Sequence, residues 1–229
     1  MKIINDLHPQ ELPMPVVLAV GFFDGVHRGH QAVLKDALKL AKEVKAAPVV
    51  LTFYPHPMTV LAPDIPVPLL LSQEEKEKII EDMGFHYMIV VRPSVDFLRK
   101  TADHFLADLG GMYHLKGIVT GENFTFGKGA AGNGFLLKKY FKNTSVQVHL
   151  ISLKEEDGRI ISSTGIRETI LAGHMKKAAR LLGRNYVIRG DIIHGFKEEC
   201  SLQDFLQQTC DLKEEGLSQK MACMPPEHG

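Results

Sequence analysis

The chain has 229 residues, enough for one large domain that buries a substantial core. Its content of 45% hydrophobic and 24% charged residues is ordinary for a globular protein. Because 27 Lys and Arg balance 27 Asp and Glu, no basic field over the whole molecule favours a nucleic-acid partner. A polyanionic substrate would therefore have to be bound by positively charged or hydrogen-bonding groups of its own site.

The sequence favours a cytoplasmic protein without a membrane partner. No apolar run approaches the ~20 residues that span a bilayer. The first 15 residues contain several polar side chains and no apolar core of a signal peptide. The cysteines, Cys200, Cys210 and Cys223, lack CxxC spacing and are typical of free thiols in a reducing compartment. The oligomeric state is left open.

Residues 16–30, VVLAVGFFDGVHRGH, have the pattern of a phosphate site. The apolar run VVLAV is typical of a buried strand, and a helical pattern follows His27. A strand that leads through a glycine-bearing turn into a helix brings backbone N–H groups and the positive end of the helix dipole to one point. His27 and His30, three residues apart, can aim two imidazoles at the same anion. Gly29 between them has no side chain to hold a ligand away.

Other interpretations of this stretch fit less well. No GKS or GKT follows the glycines, and the GxGxxG of dinucleotide binders is absent. A helical zinc site would space its histidines four apart with a glutamate between them, which this stretch does not do. Two solvated histidines at a helix start would leave the glycines and the buried strand unexplained. The pattern therefore favours phosphate over metal.

Five strands alternate with helices along the rest of the chain. The strands are expected at 16–21, 49–53, 86–91, 114–120 and 145–151, preceded by a short entry strand and loop over 1–15 and followed by a short extended piece at 158–162. Helices are expected near 30–45, 72–83, 95–109 (as one or two pieces), 134–142, 164–172 and 174–183. Ser72 and Glu75 form a capping box, and a proline-punctuated loop runs from Tyr54 to Leu71. This alternation predicts an α/β fold with a five-stranded parallel sheet covered by helices on both faces.

The motif-rich loops follow the first, second and fourth of these strands. In open parallel sheets, ligands bind beyond the carboxyl ends of the strands. The loops after those strands and the turn at 162–167 are therefore expected to converge on one crevice.

Four motifs in this order carry a resemblance to a known family: FDGVHRGHQ, TFYPHP, GENFTFGKGAAGN and ISSTGIRETILAGHMKKAARLLGRNY. Over roughly residues 14–190 the chain resembles the adenylyltransferase half of the bacterial FAD synthetases, the bifunctional riboflavin kinase/FMN adenylyltransferases. The resemblance implies a Rossmann-like HxGH nucleotidyltransferase fold and the reaction ATP + FMN → FAD + pyrophosphate. It also implies Mg²⁺ carried on the triphosphate, with no metal-ligating residue assigned in the chain.

The resemblance assigns roles to individual residues. Those implied to be catalytic are His27, His30 and Arg167. Those implied on the ATP side are Gly21, Phe22, Phe23, Asp24, Gly29, Ser163 and Thr164. Those implied on the FMN side are His56, Pro57, Asn123, Phe124 and Phe126. For some, a purely structural role stays open: Ser163 and Thr164 as helix caps, His56 as a loop histidine, and both phenylalanines as core.

The chain also departs from the family pattern. Phe22 and Tyr54 replace residues that are usually smaller or more polar, so acceptor specificity or turnover could differ. Residues 184–195 resemble the first strand of the riboflavin kinase barrel, but the kinase signature GRxxGFPTAN does not follow. We therefore expect an adenylyltransferase domain over residues 1–185, a remnant tail over 186–229, and no riboflavin kinase activity. The alternatives are a nucleotidyltransferase with another acceptor phosphate, or a non-catalytic flavin- or nucleotide-binding paralogue.

Overall fold

The computed structural model of the chain describes residues 1–5, 12, 14–65, 67–111 and 114–188. The chain divides into two compact units, Met1–Ser163 and the part from Thr164 onward, and each is described by itself. Nearly all of the expected tail lies outside the described residues. The domain boundary at residue 185 therefore stays a prediction.

The first unit is built on a parallel sheet. Its strands, numbered in chain order, are β1 Lys2–Asn5, β2 Val16–Val20, β3 Ala47–Phe53, β4 Tyr87–Val91, β5 Leu115–Gly121, β6 Thr125–Phe126, β7 Gly132–Asn133, β8 Gln147–Ile151, β9 Glu155–Glu156 and β10 Arg159–Ile160. Six of them form one sheet in the order β1-β4-β3-β2-β5-β8 with every neighbouring pair parallel. The remaining strands pair as two short antiparallel hairpins, β6 with β7 and β9 with β10.

The predicted strand count of five is wrong, because the sheet has six strands. The sixth is β1, which pairs with β4 at the sheet edge, with Ile4 opposite Ile89. A four-residue strand with one fully buried side chain, Ile4, carries too little local pattern to be placed in a sheet. Its membership depends on backbone pairing with a segment more than 80 residues away in the sequence.

The helices agree with the predicted order. They are α1 Arg28–Glu43, α2 Pro57–Leu61, α3 Gln73–Asp82, α4 Val95–Arg99, α5 Ala102–Gly110, α6 Gly134–Phe141, α7 Ser163–Leu171 and α8 Met175–Leu182. The capping box of α3 is confirmed, since the Ser72 hydroxyl accepts from the Glu75 amide and the Glu75 carboxylate accepts from the Ser72 amide. The short α2 was not predicted. No helix in the described part of the chain is long and apolar enough to cross a membrane.

Strand β2 separates two hydrophobic cores. Val16, Leu18 and Val20 pack into one cluster, whereas Val17 and Ala19 pack into the other, as alternation along a strand requires. All five side chains are at most 1% exposed, which is typical of parallel sheets covered on both faces. The expectation of helices on both faces is confirmed.

The strand order reverses at β2. The chain adds β3 and then β4 on one side of it, and afterwards places β5 and β8 on the other side. Such a switch point opens a crevice at the carboxyl ends of the two diverging strands, where ligands bind in folds of this class.

Truncation of Leu18 is expected to test this central strand. Its side chain is fully buried in the sheet, so Leu18→Ala should lower the free energy of unfolding by about 2–5 kcal/mol. Leu61→Ala is the matched control, because Leu61 is 60% exposed and its loss should change stability by less than about 0.5 kcal/mol. Urea unfolding of both variants measures the difference, and equal midpoints would contradict the assignment of β2 to the core.

Candidate active site

A cleft of about 570 Å³ opens at the carboxyl edge of the sheet. Four parallel strands supply its floor through residues at or just before their last positions, namely Val20, Phe53, Thr120 and Ile151. The loops after β2, β3 and β5 line the same cleft. These loops carry the first three motifs, and the expected convergence is therefore observed within the first unit.

The two motif histidines lie at the start of α1. His27 is the N-cap residue, and its Nδ1 accepts a hydrogen bond of 3.3 Å from the backbone amide of His30. The two rings stack with centroids 3.6 Å apart and an interplanar angle of 19°. Because Nδ1 of His27 is occupied as an acceptor, the neutral ring carries its proton on Nε2. The side chain of His27 is 4% exposed, and both histidines line the cleft.

A tight turn between β2 and α1 aims this pair. Residues Asp24–Val26 form a 3₁₀ turn, and left-handed backbone is adopted by Phe23 (φ 57°), Gly25 (φ 77°) and Val26 (φ 37°). Positive φ is unfavourable for a bulky or β-branched residue, and such strain is concentrated at functional sites. The Phe23 ring, 2% exposed, packs edge-on against His30 with centroids 5.5 Å apart. The turn and its buried phenylalanine thus support the ring of His30 from behind.

The imidazole of His30 lies in an environment that disfavours protonation. Burial, the neighbouring His27 and the ammonium of Lys76 together hold the pKa of His30 well below its usual 6.5. His30 is therefore neutral at pH 7. Its Nδ1 is buried and has no hydrogen-bond partner among the described residues. A buried polar atom of this kind, beside a cleft, is a position where a ligand can supply the missing partner.

Adding a methyl group at Gly29 is expected to disturb the histidine pair. A Cβ there would lie 3.1 Å from Cε1 and 3.2 Å from Nδ1 of His27, so the ring would have to shift by a few tenths of an ångström. Gly29→Ala should lower turnover by about tenfold to a hundredfold. Because alanine has a higher helix propensity than glycine, the melting temperature should stay the same or rise. Gly110→Ala, where the Cβ would meet neighbours only at 3.6 Å or more, is the control. Normal turnover together with an unchanged melting temperature would contradict a role for this close packing.

Aromatic side chains line another part of the cleft. They form a connected series in the order Phe97, Phe105, Phe126 and Phe124, with ring centroids 6.3 Å, 5.0 Å and 5.7 Å apart along it. Phe126 is 6% exposed and packs in the core cluster. A Cβ on Gly132 would lie 2.3 Å from the Phe126 ring, so the lack of a side chain at Gly132 leaves the room that this ring occupies. Phe126 therefore belongs to the core and also faces the cleft.

Most of the other predicted residues also line this cleft. They are Gly21, Phe22, Phe23, His56, Pro57, Asn123 and Ser163. The Phe22 ring lies edge-on against His56 with centroids 4.2 Å apart. His56 caps α2 by accepting from the Met58 amide at 3.1 Å. The Ser163 hydroxyl donates to the backbone oxygen of Asp24 at 2.9 Å, which ties the end of the first unit to the turn before α1.

Three predicted residues are not part of this lining. Asp24 is 6% exposed, and its Oδ1 accepts a hydrogen bond of 2.8 Å from the Leu70 amide. Thr164 and Arg167 belong to the second unit, where Nη2 of Arg167 donates to the Thr164 hydroxyl at 3.2 Å. The roles assigned to these three residues, and those assigned to the lining residues, stay predictions.

Some residues of the site were missed from the sequence. Phe97, Lys100 and Phe105 line the cleft from α4, α5 and their junction. These helices follow β4 at the carboxyl edge of the sheet, and that position in the predicted topology could have indicated them. The burial of Lys76 on α3, which does not line the cleft, was missed as well, because a lysine within a charged helix start usually faces solvent.

A protein-built metal site is not evident in the part of the chain that the structure describes. No group of three or more His, Cys, Asp or Glu is arranged there to hold a metal ion. Asp24, the carboxylate nearest in sequence to the histidine pair, uses one oxygen to hold the Leu70 amide.

The two histidines of the HxGH motif thus line a cleft at the point where the strand order of a parallel sheet reverses, the place where ligands bind in folds of this class. The family model for FAD synthetase matches residues 10–165, and the chain belongs to the FAD synthetase family.

Individual relatives agree with this assignment. A bifunctional riboflavin kinase/FMN adenylyltransferase of Listeria monocytogenes is 36% identical over 79% of this chain and 58% of its own length. An FAD synthetase of the same organism is 33% identical over 87% of this chain and 80% of its own length. A crystal structure described as a macrolide-efflux protein from Streptococcus pneumoniae superposes with a TM-score of 0.74 at 31% identity, covering 86% of this chain and 64% of that one. The chain thus spans less than two thirds of the bifunctional relative.

Proposed function

We propose that this chain is an FMN adenylyltransferase that transfers AMP from ATP to FMN and releases pyrophosphate. The observation that carries the proposal is the stacked His27–His30 pair at the switch point of the sheet. The cleft at this point also has an aromatic lining. Such a cleft offers donors for phosphate groups and flat apolar surface for a ring system. Membership of the FAD synthetase family supports the same substrates.

The histidines and the start of α1 would bind the phosphates of ATP. In the neutral ring of His27 the N–H donor is at Nε2, and the N-terminal amides of α1 add the positive end of a helix dipole. Since the rings are 3.6 Å apart, two imidazolium charges would repel each other strongly. With His30 neutral, the pair presents neutral donors and at most one positive charge to the phosphates.

The chemical step needs no protein nucleophile. An oxygen of the FMN phosphate attacks the α-phosphorus of ATP, and a new P–O bond forms as the bond to the bridging β-phosphate oxygen breaks. Pyrophosphate leaves with the electron pair, so negative charge grows on the leaving oxygens. Donors that are already in position stabilise this charge without reorganisation, and they also hold the two phosphates in line. His27, His30 and Arg167 are proposed to act in this way.

FMN is proposed to bind at the aromatic end of the cleft. Phe124 faces the cleft and is only partly buried, and the ring of Phe126 continues the same surface. A flat isoalloxazine ring gains from burial against such rings and from offset stacking. The amide of Asn123 and the ring of His56 can supply polar contacts beside this surface. Phe22, packed on His56, would influence which acceptor fits.

Mg²⁺ is proposed to arrive with the nucleotide. It would neutralise part of the triphosphate charge when bound, and no step is assigned to a metal held by the protein. Because ATP is the donor substrate, we also propose that the protein acts in the cytoplasm.

The test is incubation of the purified protein with ATP, Mg²⁺ and FMN, followed by chromatography of the flavins. FAD formed from FMN, with equimolar pyrophosphate, is the expected result. Parallel reactions with nicotinamide mononucleotide and with riboflavin test for another acceptor phosphate and for kinase activity. A dinucleotide from another acceptor but not from FMN would overturn the proposal. Binding of ATP and FMN without any product would instead support the non-catalytic paralogue.

A further inference from the structure

A buried lysine lies beneath the loop that carries the histidine pair. Lys76 on α3 is 5% exposed and does not line the cleft. It lies one turn before Ile80, and the two are the buried residues of α3. Lysine is almost never buried without a compensating partner, because desolvation of the ammonium is unfavourable. A buried ammonium at this position therefore requires nearby groups that stabilise its charge.

The ammonium contacts the loop after β2 through two groups. Its Nζ donates to the Thr52 hydroxyl at 3.4 Å, and that hydroxyl in turn donates to the backbone oxygen of Phe22 at 3.0 Å. The same Nζ lies 5.2 Å from the centroid of the Phe22 ring, within the range of a cation–π contact. Thr52 offers the one hydrogen-bond acceptor to Nζ among the residues that the structure describes. Lys76 thus contacts the Phe22 ring directly and is linked to the Phe22 carbonyl through the Thr52 hydroxyl.

The charged and titratable groups around Lys76 come from three elements. Burial disfavours the ammonium and lowers the pKa of Lys76 from 10.5 to about 8, although Asp24, in the turn before α1, and Glu77, on α3 itself, favour the charged form. The positive charge of Lys76 also acts on His30, on α1, and helps to lower the pKa of that imidazole. The neighbouring His27 acts on His30 in the same direction. The buried charge is therefore coupled electrostatically to the phosphate-binding end of the cleft.

We propose that Lys76 is a positioning residue of the adenylyl-transfer site: its buried ammonium holds the loop after β2 and supplies positive potential behind the histidine pair. This inference rests on the proposed FMN adenylyltransferase function. A fixed charge in a site of low dielectric favours the negative charge that develops on the phosphates, although the side chain does not touch them. It also keeps His30 neutral as a hydrogen-bonding group. Activity should consequently fall as Lys76 loses its proton above about pH 8.

The test compares Lys76→Met, Lys76→Arg and the control Lys78→Met across the pH range. Lys78 lies on the same helix, is 68% exposed in its side chain, and pairs with Asp82 away from the cleft. Lys76→Met should lower kcat/KM for ATP by about tenfold to a hundredfold at pH 7. In the pH profile of kcat/KM, Lys76→Met should also remove the fall in activity near pH 8, which is assigned to Lys76. The fall at acid pH should move to higher pH, because His30 would be protonated more easily. Lys76→Arg should retain part of the activity with the alkaline limb displaced upward, since a guanidinium does not titrate there.

Two further measurements separate positioning from a purely structural role. NMR titration of His30 in the free protein should give a higher pKa in Lys76→Met than in wild type, and this readout does not depend on turnover. The melting temperature of Lys76→Met should hold or rise, because an uncharged chain of similar length fills the same space. An unchanged His30 titration, or a wild-type pH profile in Lys76→Met, would overturn the inference. If the wild-type protein makes no FAD but the His30 titration responds, the proposed function fails and the electrostatic coupling stands.

Discussion

Replacing His27 with asparagine is expected to lower the rate of FAD formation by about 10²–10³ without unfolding the start of α1. Nδ1 of His27 accepts the His30 amide as a helix cap, and an asparagine side chain can accept the same bond. An asparagine that caps the helix through its side-chain oxygen has no donor at the place of the imidazole Nε2–H, which we propose binds a phosphate of ATP. The loss should therefore appear in kcat with little change in the melting temperature.

His27→Ala separates the two roles of this residue. It should show the same loss of rate as His27→Asn and, in addition, a loss of about 1 kcal/mol in stability from the missing cap. His86→Gln is the matched control, because His86 is an exposed histidine that does not line the cleft. Steady-state kinetics with FMN, together with urea unfolding, provide both readouts. Turnover of His27→Asn within threefold of wild type would contradict the assignment of Nε2 as a phosphate donor.

Replacing Arg167 with alanine is expected to cost a similar factor, about 10²–10³ in kcat/KM. A guanidinium can hold a phosphate with two parallel hydrogen bonds, which an ammonium cannot do. Arg167→Lys should therefore recover only a small part of the activity. In α7 the guanidinium donates to the Thr164 hydroxyl, so Thr164→Val is expected to have a smaller effect, through freer motion of the arginine.

The control for this residue is Arg180→Ala on α8, an exposed arginine of the same unit. It should leave kinetics unchanged, which separates a specific phosphate contact from a change in the charge of the unit. Binding of ATP by calorimetry distinguishes ground-state from transition-state contacts. If Arg167→Ala turns over normally at saturating ATP, Arg167 contributes at most to binding and its catalytic role is wrong.

The order of the strands and helices could be predicted from local pattern. The run VVLAV, the Ser72–Glu75 capping box and the split of helix 95–109 into two pieces each depend on residues within a few positions of one another. The same holds for the HxGH motif, whose two histidines meet because a helix start brings residues three apart to one face. The convergence of the loops followed from the general geometry of parallel sheets rather than from any single residue.

Features that depend on distant partners were not predictable in this way. Strand β1 joins the sheet because its backbone pairs with β4, and the short segment has no distinguishing pattern of its own. The aromatic lining arises where Phe97 and Phe105, on helices after β4, meet Phe126 from the loop after β5. Phe97 and Phe105 by themselves have the pattern of ordinary core residues, and only Phe126 was expected at the site.

Lys76 illustrates the difference most clearly. Within QEEKEKIIED it has the local pattern of a solvated helical lysine, and the residues beside it favour exposure. It is buried because α3 packs against the turn before α1 and against Thr52 on β3, contacts that bridge 24 or more positions. Local sequence thus determined the elements and the histidine motif, since those depend on short-range periodicity and capping. The tertiary structure decided the burial, the pKa values and the full lining of the cleft, because desolvation and charge coupling depend on which distant segments meet.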